Sequence, residues 1–215
     1  MKITKFGHSC LLIEEGALRV LTDPGSWNQA PDVESLDCIL ITHEHGDHLD
    51  IPQLTEVLSK NPDARVISHE SVGKILDEAG IAYELIKSGE EIEVKGVSVK
   101  SFGTTHACFY GDMPKIQNTG YLIANRLFVT GDALHDIPDT QVEILALACG
   151  GPWMRMSEAI DYAKKLNPKF VIPVHDAMYI EKYRDSVVPR VVGGNLEEAG
   201  IEFRDMKAGA TEEFK

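Results

Sequence analysis

The chain has 215 residues, 43% hydrophobic and 26% charged, which is enough apolar surface for one large or two small globular units. Lysine and arginine number 21 against 34 aspartates and glutamates, and the resulting charge of −13 repels nucleic acid and anionic membrane surfaces and excludes both as default partners. The apolar run Cys10 to Ile13 is too short for the core of a secretory signal, no stretch approaches a membrane span, and the four cysteines (10, 38, 108 and 149) make no CxxC pair, so a reduced, cytoplasmic protein is expected.

Short β-rich runs dominate the pattern. Residues 2–6, 10–14, 17–22 and 38–42 come first, with Gly16 at a tight turn. Asp50-Ile51-Pro52 then opens a helix, with Asp50 as N-cap and Leu54, Val57 and Leu58 as its apolar stripe. A strand at 64–68 precedes a helix from Ser71 to Ala79, stopped by Gly80. Strands at 90–94 and 97–102 turn at Gly96, and strands at 121–124 and 126–130 turn at the Asn125-Arg126 pair. A strand at 142–148, a helix from Ser157 to Leu166 and a strand at 169–174 follow, with further helical patterns over Met178 to Val187 and Leu196 to Ala199. No repeat, low-complexity tract or linker intervenes, so a single domain over 1–215 of α+β or layered α/β class is expected.

Three of the eight histidines, with an aspartate and a glutamate, crowd into His43-Glu44-His45-Gly46-Asp47-His48. Buried imidazoles need partners for their ring nitrogens, and a metal is one candidate. His43, His45 and His48 follow the strand CILIT, His106 follows VSVKSF, Asp132 follows RLFVT and His175 follows KFVIPV. Strands of one sheet end along a common edge, so these loops can converge. Imidazoles with carboxylates suit zinc, or a neighbour such as manganese. The extended spacing puts His43 and His45 on one side of the loop, while Gly46 turns Asp47 and His48 away, an arrangement able to serve two ions.

This set, His43-x-His45-x-Asp47-His48 followed by His106, Asp132 and His175, resembles the metal-binding signature of the metallo-β-lactamase superfamily, in order and over almost the full chain. The resemblance implies a four-layer αββα sandwich with the site at one edge of the sheets. It assigns His43, His45 and His106 to a first metal and Asp47, His48 and His175 to a second, with Asp132 bridging. The stretches FGHSCLLIE (6–14), LTDPG (21–25) and residues 150–176 also resemble small metal-dependent hydrolases related to L-ascorbate-6-phosphate lactonase. Asp132 in place of cysteine sets the chain apart from the main antibiotic-hydrolysing β-lactamases, and His45 in place of glutamate from the flavin-partnered di-iron branch. The spacing leaves no room for a nucleic-acid-processing insertion.

The function implied is that of a metal-dependent hydrolase in which two divalent ions, zinc or manganese, lower the pKa of a bridging water to near 7. The hydroxide would attack a small, anionic ester or lactone. Asp47 would orient the water or accept its proton, and His135, three residues after Asp132, is a candidate acid for the leaving group. The alternatives are a phosphodiesterase or nuclease-type hydrolase, and a metal-binding regulatory protein without hydrolysis. A small-molecule substrate is the expected partner, with neither nucleic acid nor membrane, and a homo-oligomer is left open.

Other residues carry two readings. His8 either faces the metal cavity or is a satisfied strand-end histidine. Asp23 either accepts a hydrogen bond from a ligand imidazole or only forms a turn. Trp27 and Trp153 either wall the substrate pocket or cover the core, and Gly150-Gly151 lets backbone come close to something. His69 is expected at the surface and Glu44 in solvent, and neither Cys108 nor Cys149 has an assigned activating base.

Overall fold

The computed structural model describes residues 1–215 except Ala30, Asp112 and Pro114. Two seven-stranded sheets form its centre. In the first, β1 (Lys2–Gly7), β2 (Cys10–Glu15) and β3 (Leu18–Thr22) make an antiparallel meander that β4 (Cys38–Leu40), β5 (Arg65–Ser68) and β6 (Glu84–Leu85) extend in parallel. The second repeats the plan. β7 (Glu91–Val94), β8 (Val97–Phe102), β9 (Gly120–Ile123) and β10 (Leu127–Val129) are antiparallel, and β11 (Ile144–Ala148), β12 (Phe170–Val174) and β13 (Glu202–Phe203) follow in parallel. The last strand, β14 (Thr211–Glu213), returns to pair with β1.

The inner faces of the sheets share one core, in which Ile13 and Leu40 meet residues such as Ile123 and Ile144, all fully buried. The outer face of the first sheet is covered by α1 (Ile51–Lys60) and α2 (Glu70–Glu78), through Leu54, Val57, Val72 and Leu76. The second is covered by α3 (Met156–Leu166) and by the run of α4 (Glu181–Val187), a π-helical segment Val188–Gly193 and α5 (Gly194–Glu197). The layers are therefore αββα, as expected. Each fully buried Leu or Val in these interfaces contributes about 1.5–3 kcal/mol through removal of its surface from water.

Local chemistry sets the helix ends. Asp50 accepts from the Gln53 N–H at 3.0 Å, and Asn61 ends α1 by donating through Nδ2 to the Val57 carbonyl at 2.8 Å. Glu158 accepts from the Arg155 N–H at 2.8 Å, and Asn167 closes α3 in the left-handed region at φ 49°. The hairpin between β9 and β10 turns on Ala124 and Asn125, at φ 57° and 53°, one residue before the expected pair. The helix expected from Met178 begins at Glu181. The edge strands β6, β13 and β14 are two or three residues long and depend on pairing rather than on an apolar run.

Strand direction positions the site. β1 and β3 both oppose β2, so they point the same way as β4 and β5. β8 and β10 both oppose β9 and point the same way as β11 and β12. His8, Asp23 and the 42–48 loop therefore leave one edge of the first sheet, after β1, β3 and β4. His106, Asp132, Gly150 and His175 leave one edge of the second, after β8, β10, β11 and β12. The Thr119 N–H donates to the Thr42 carbonyl at 2.9 Å and the His175 N–H to the His8 carbonyl at 3.0 Å, which fixes the two edges against each other.

Candidate metal centre

The site is built first by Asp23. Its backbone stands at φ 43°, and Pro24 and Gly25 carry the chain beneath the histidine loop. A Cβ at Gly25 would lie 1.9 Å from the Asp47 carbonyl oxygen, so only glycine allows this crossing. The buried Asp23 carboxylate accepts from the Thr42 N–H at 2.7 Å, the Thr42 hydroxyl at 2.8 Å and His48 Nδ1 at 2.8 Å. Asp23 thus holds a ring of the cluster, as one of its two readings proposed.

These bonds define tautomers. The Thr42 hydroxyl donates its one hydrogen to Asp23, so at 3.1 Å from His43 Nδ1 it accepts. His106 Nδ1 donates to the Ala107 carbonyl at 2.6 Å, and His175 Nδ1 donates to the Gly150 carbonyl. Gly150 is close for a reason: a Cβ there would meet the Tyr179 ring at 2.7 Å. His43, His48, His106 and His175 therefore all turn Nε2 inward, with the outer nitrogen fixed by an acceptor.

Two groups of side chains result, each with ligand atoms mutually within 4.8 Å: His43, His45, His106 and Asp132, and His8, Asp47, His48 and His175. His43 Nε2 lies 3.0 Å from His45 Nδ1. Asp132 joins the groups. Its oxygens are 3.3 Å from His106 Nε2, 3.2 Å from His48 Nε2 and 3.0 Å from His175 Nε2, and Trp153 Nε1 donates to Oδ2 at 3.0 Å. Asn118 accepts from the Asp132 N–H at 3.0 Å. The cluster thus brings together all seven expected ligand positions and adds His8, whose Nε2 is 3.1 Å from Asp47 Oδ2.

The chemistry of the donor set fits cations. His8 Nδ1, His48 Nε2, His106 Nε2, His175 Nε2 and Asp132 Oδ1 are buried without a hydrogen-bond partner. Burial drives His43 well below its usual pKa, with the His48 charge adding, and lowers His8 to about 4. Burial also opposes charge on His48, but Asp132 and Asp23 outweigh it and hold that ring well up. At His175 burial is outweighed by Asp132 and Asp47, which raise it to about 9. Burial would raise Asp132 and Asp47, yet the surrounding histidines hold both carboxylates well down. The buried Asp132 and half-buried Asp47 carboxylates thus draw positive charge into a nest of inward-facing nitrogens, which is the role a divalent ion fills.

Outside the cluster the expectations fare differently. Trp27 and Trp153 both line a cavity of about 370 Å3 over the cluster, with His45, Asp47, Asp132 and His175 in its floor. His135 does not line this cavity; its side chain is 52% exposed, with Nε2 3.8 Å from Asp136. His69 is buried, not at the surface, because Nε2 donates to the Thr42 carbonyl at 3.0 Å. Glu44 is only partly open to solvent, with Oε2 buried, and burial raises its pKa. Cys108 is exposed and Cys149 buried.

One supporting group has no counterpart in the sequence reading. Lys5, 1% exposed, donates to both oxygens of Asp176 at 2.8 and 2.9 Å and to the Pro173 carbonyl at 2.7 Å. Arg184 Nε adds a bond to Asp176 at 2.8 Å. This ion network anchors the end of β12 beside His175, which stands at φ 54°. Ile3 and Lys5 share a strand face, and that alternation is the one signal that could have found the lysine.

The chain matches the model of the β-lactamase superfamily domain over residues 2–175. It is 36% identical over 184 residues to Protein Rv0786c of Mycobacterium tuberculosis, covering 83% of this chain and 85% of that one. It is 32% identical over 190 residues to the UPF0173 metal-dependent hydrolase TV0864 of Thermoplasma volcanium, covering 81% and 83%. Among solved structures, its fold is similar to that of Igni18, a metallo hydrolase of Ignicoccus hospitalis, with a TM-score of 0.77 at 21% identity over 100% of this chain and 99% of that one.

Proposed function

The chain belongs to the β-lactamase superfamily and is a metal-dependent hydrolase, and from that premise we propose that it cleaves a small ester or lactone at a centre of two divalent ions, zinc or manganese. His43, His45 and His106 hold the first ion. His48, His175, Asp47 and His8 would hold the second, with Asp132 available to either. When bound, the ions supply a water acidic enough to ionise near neutral pH and a Lewis acid for the substrate's carbonyl oxygen. The observation that carries the reading is the set of buried, partnerless nitrogens of His48, His106 and His175 facing one shared carboxylate, Asp132.

The chain's own residues do the rest. Both contacts to Asp47, from His8 at 3.1 Å and His175 at 3.5 Å, fall on Oδ2, and Oδ1 is the oxygen left to orient an attacking water and take its proton. Trp153 and Asn118 hold Asp132 in place through its Oδ2 and its N–H. Asp23 keeps His48 in the tautomer that offers Nε2 to a cation. The four free thiols support a reducing compartment such as the cytoplasm, and among the described residues no helix is long and apolar enough to cross a membrane.

A panel of esters, lactones and bis(p-nitrophenyl) phosphate, offered to metal-loaded protein, tests the reading. Turnover of an ester or lactone that stops on chelation is expected. Preference for the phosphodiester would favour a phosphodiesterase instead, and no turnover of any member would favour a binding protein.

A further inference from the structure

The cavity over the metal centre has a floor and walls of opposite character. The floor holds the imidazoles and carboxylates. The walls are Trp27, Phe109, Pro152, Trp153 and Met178. Trp27, Phe109 and Met178 keep 49, 37 and 42% of their surface exposed, so three large apolar side chains stand open to water at one mouth. Among the described residues, no lysine or arginine lines it. Apolar surface gathered at a concave site marks binding of an apolar group rather than chance exposure.

The cations in the neighbourhood are placed elsewhere. Lys5 and Arg184 are bonded to Asp176. Arg155 lies with Glu158 in an adjoining hollow that shares the walls Phe109, Pro152 and Trp153 with the mouth, and Lys115 lines another that also includes Phe109. An anionic substituent held against the walls, away from the floor, would exchange its hydration for aromatic and thioether surface with no cationic side chain beside it. At about 370 Å3 the space is at the small end of ligand cavities, suited to one ring or a short branched chain beside the reacting group.

We propose that the mouth formed by Trp27, Phe109, Trp153 and Met178 selects substrates whose group beside the scissile bond is uncharged and aromatic or alkyl. This deepens the hydrolase reading, on which it rests for where the reacting group sits, and it replaces the anionic ester or lactone expected from the sequence. The polar floor takes the carbonyl, and the walls take the apolar substituent.

The chain's only two tryptophans, Trp27 and Trp153, both line the mouth, so their fluorescence reports its occupancy without any turnover. The probes are acetohydroxamate, phenylacetohydroxamate and the hydroxamate of succinic acid, which carries a carboxylate where the second carries its ring, titrated into zinc-loaded protein. The phenyl compound should bind about tenfold or more tighter than the acetyl compound, the usual scale of apolar-pocket discrimination, and tighter than the succinyl compound. Met178→Ala should shrink the phenyl advantage, and Met178→Arg should shift preference to the succinyl compound. Equal affinities, tighter binding of the succinyl compound to the unaltered protein, or no response to any of the three would overturn the proposal. Because binding is read directly, a phenyl preference without ester turnover would count against the hydrolase reading alone.

Discussion

The Asp23 carboxylate and the His48 ring lie 2.8 Å apart, both fully buried, and the bond falls on the nitrogen that faces away from the centre. Asp23 is thus a fixed acceptor that decides which His48 nitrogen a cation meets. Asp23→Asn keeps the size of the side chain but offers an amide that can turn a donor toward His48 or Thr42. Metal affinity should fall about 10–100-fold, as for other outer partners of metal-bound histidines. Competition with a chromophoric chelator measures this; unchanged affinity would remove Asp23 from the site's construction.

His8 is the donor that the metal-binding signature does not include. It faces Asp47 at 3.1 Å, and its ring centre is 4.1 Å from that of His175. His8→Ala should lower the metal content from about two ions per chain toward one, since only the second group loses a donor. Cobalt-substituted protein should show a matching change in its visible bands. Full occupancy with an unaltered spectrum would make His8 a packing residue.

Gly25 tests the backbone crossing. A Cβ there would overlap the Asp47 carbonyl at 1.9 Å, so Gly25→Ala must displace either the LTDPG turn or the histidine loop. A loss of more than about 2 kcal/mol in stability, with metal binding impaired, is expected from strain of this kind. Chemical denaturation and metal titration check it, and a wild-type result in both would contradict the crossing.

The Lys5–Asp176–Arg184 network tests the support beneath His175. Lys5→Met removes the buried ammonium and leaves Asp176 with Arg184 alone. Breaking one partner of a buried pair costs about 3–5 kcal/mol, and the Arg184 bond should keep the loss at the low end. A double variant, Lys5→Met with Asp176→Asn, should recover part of it. A single variant as stable as the parent, by thermal and denaturant unfolding, would show that the network bears no such strain.

Much of this site could be read from the chain because each ligand follows a strand. His106 after VSVKSF, Asp132 after RLFVT and His175 after KFVIPV stand where a sheet edge places them, and their side-chain types suit few other roles. The supporting shell was less legible because its partners are remote. Lys5 and Asp176 are 171 positions apart, and nothing local announces their contact. His69 was expected at the surface because its partner, the Thr42 carbonyl, becomes available only when β4 and β5 pair side by side. The short strands β6, β13 and β14 escaped for a related reason: their hydrogen bonds come from a neighbouring strand, while their residues carry no apolar run.

Six histidines, His8 among them, and two aspartates are expected to hold a pair of ions in one cluster. X-ray absorption at the metal edge of protein loaded with two equivalents of zinc tests this most directly. Imidazole scattering at about 2.0–2.1 Å together with a metal–metal vector near 3.5–4 Å is expected. A shell of oxygen alone, or histidine scattering with no metal–metal vector at full loading, would contradict it.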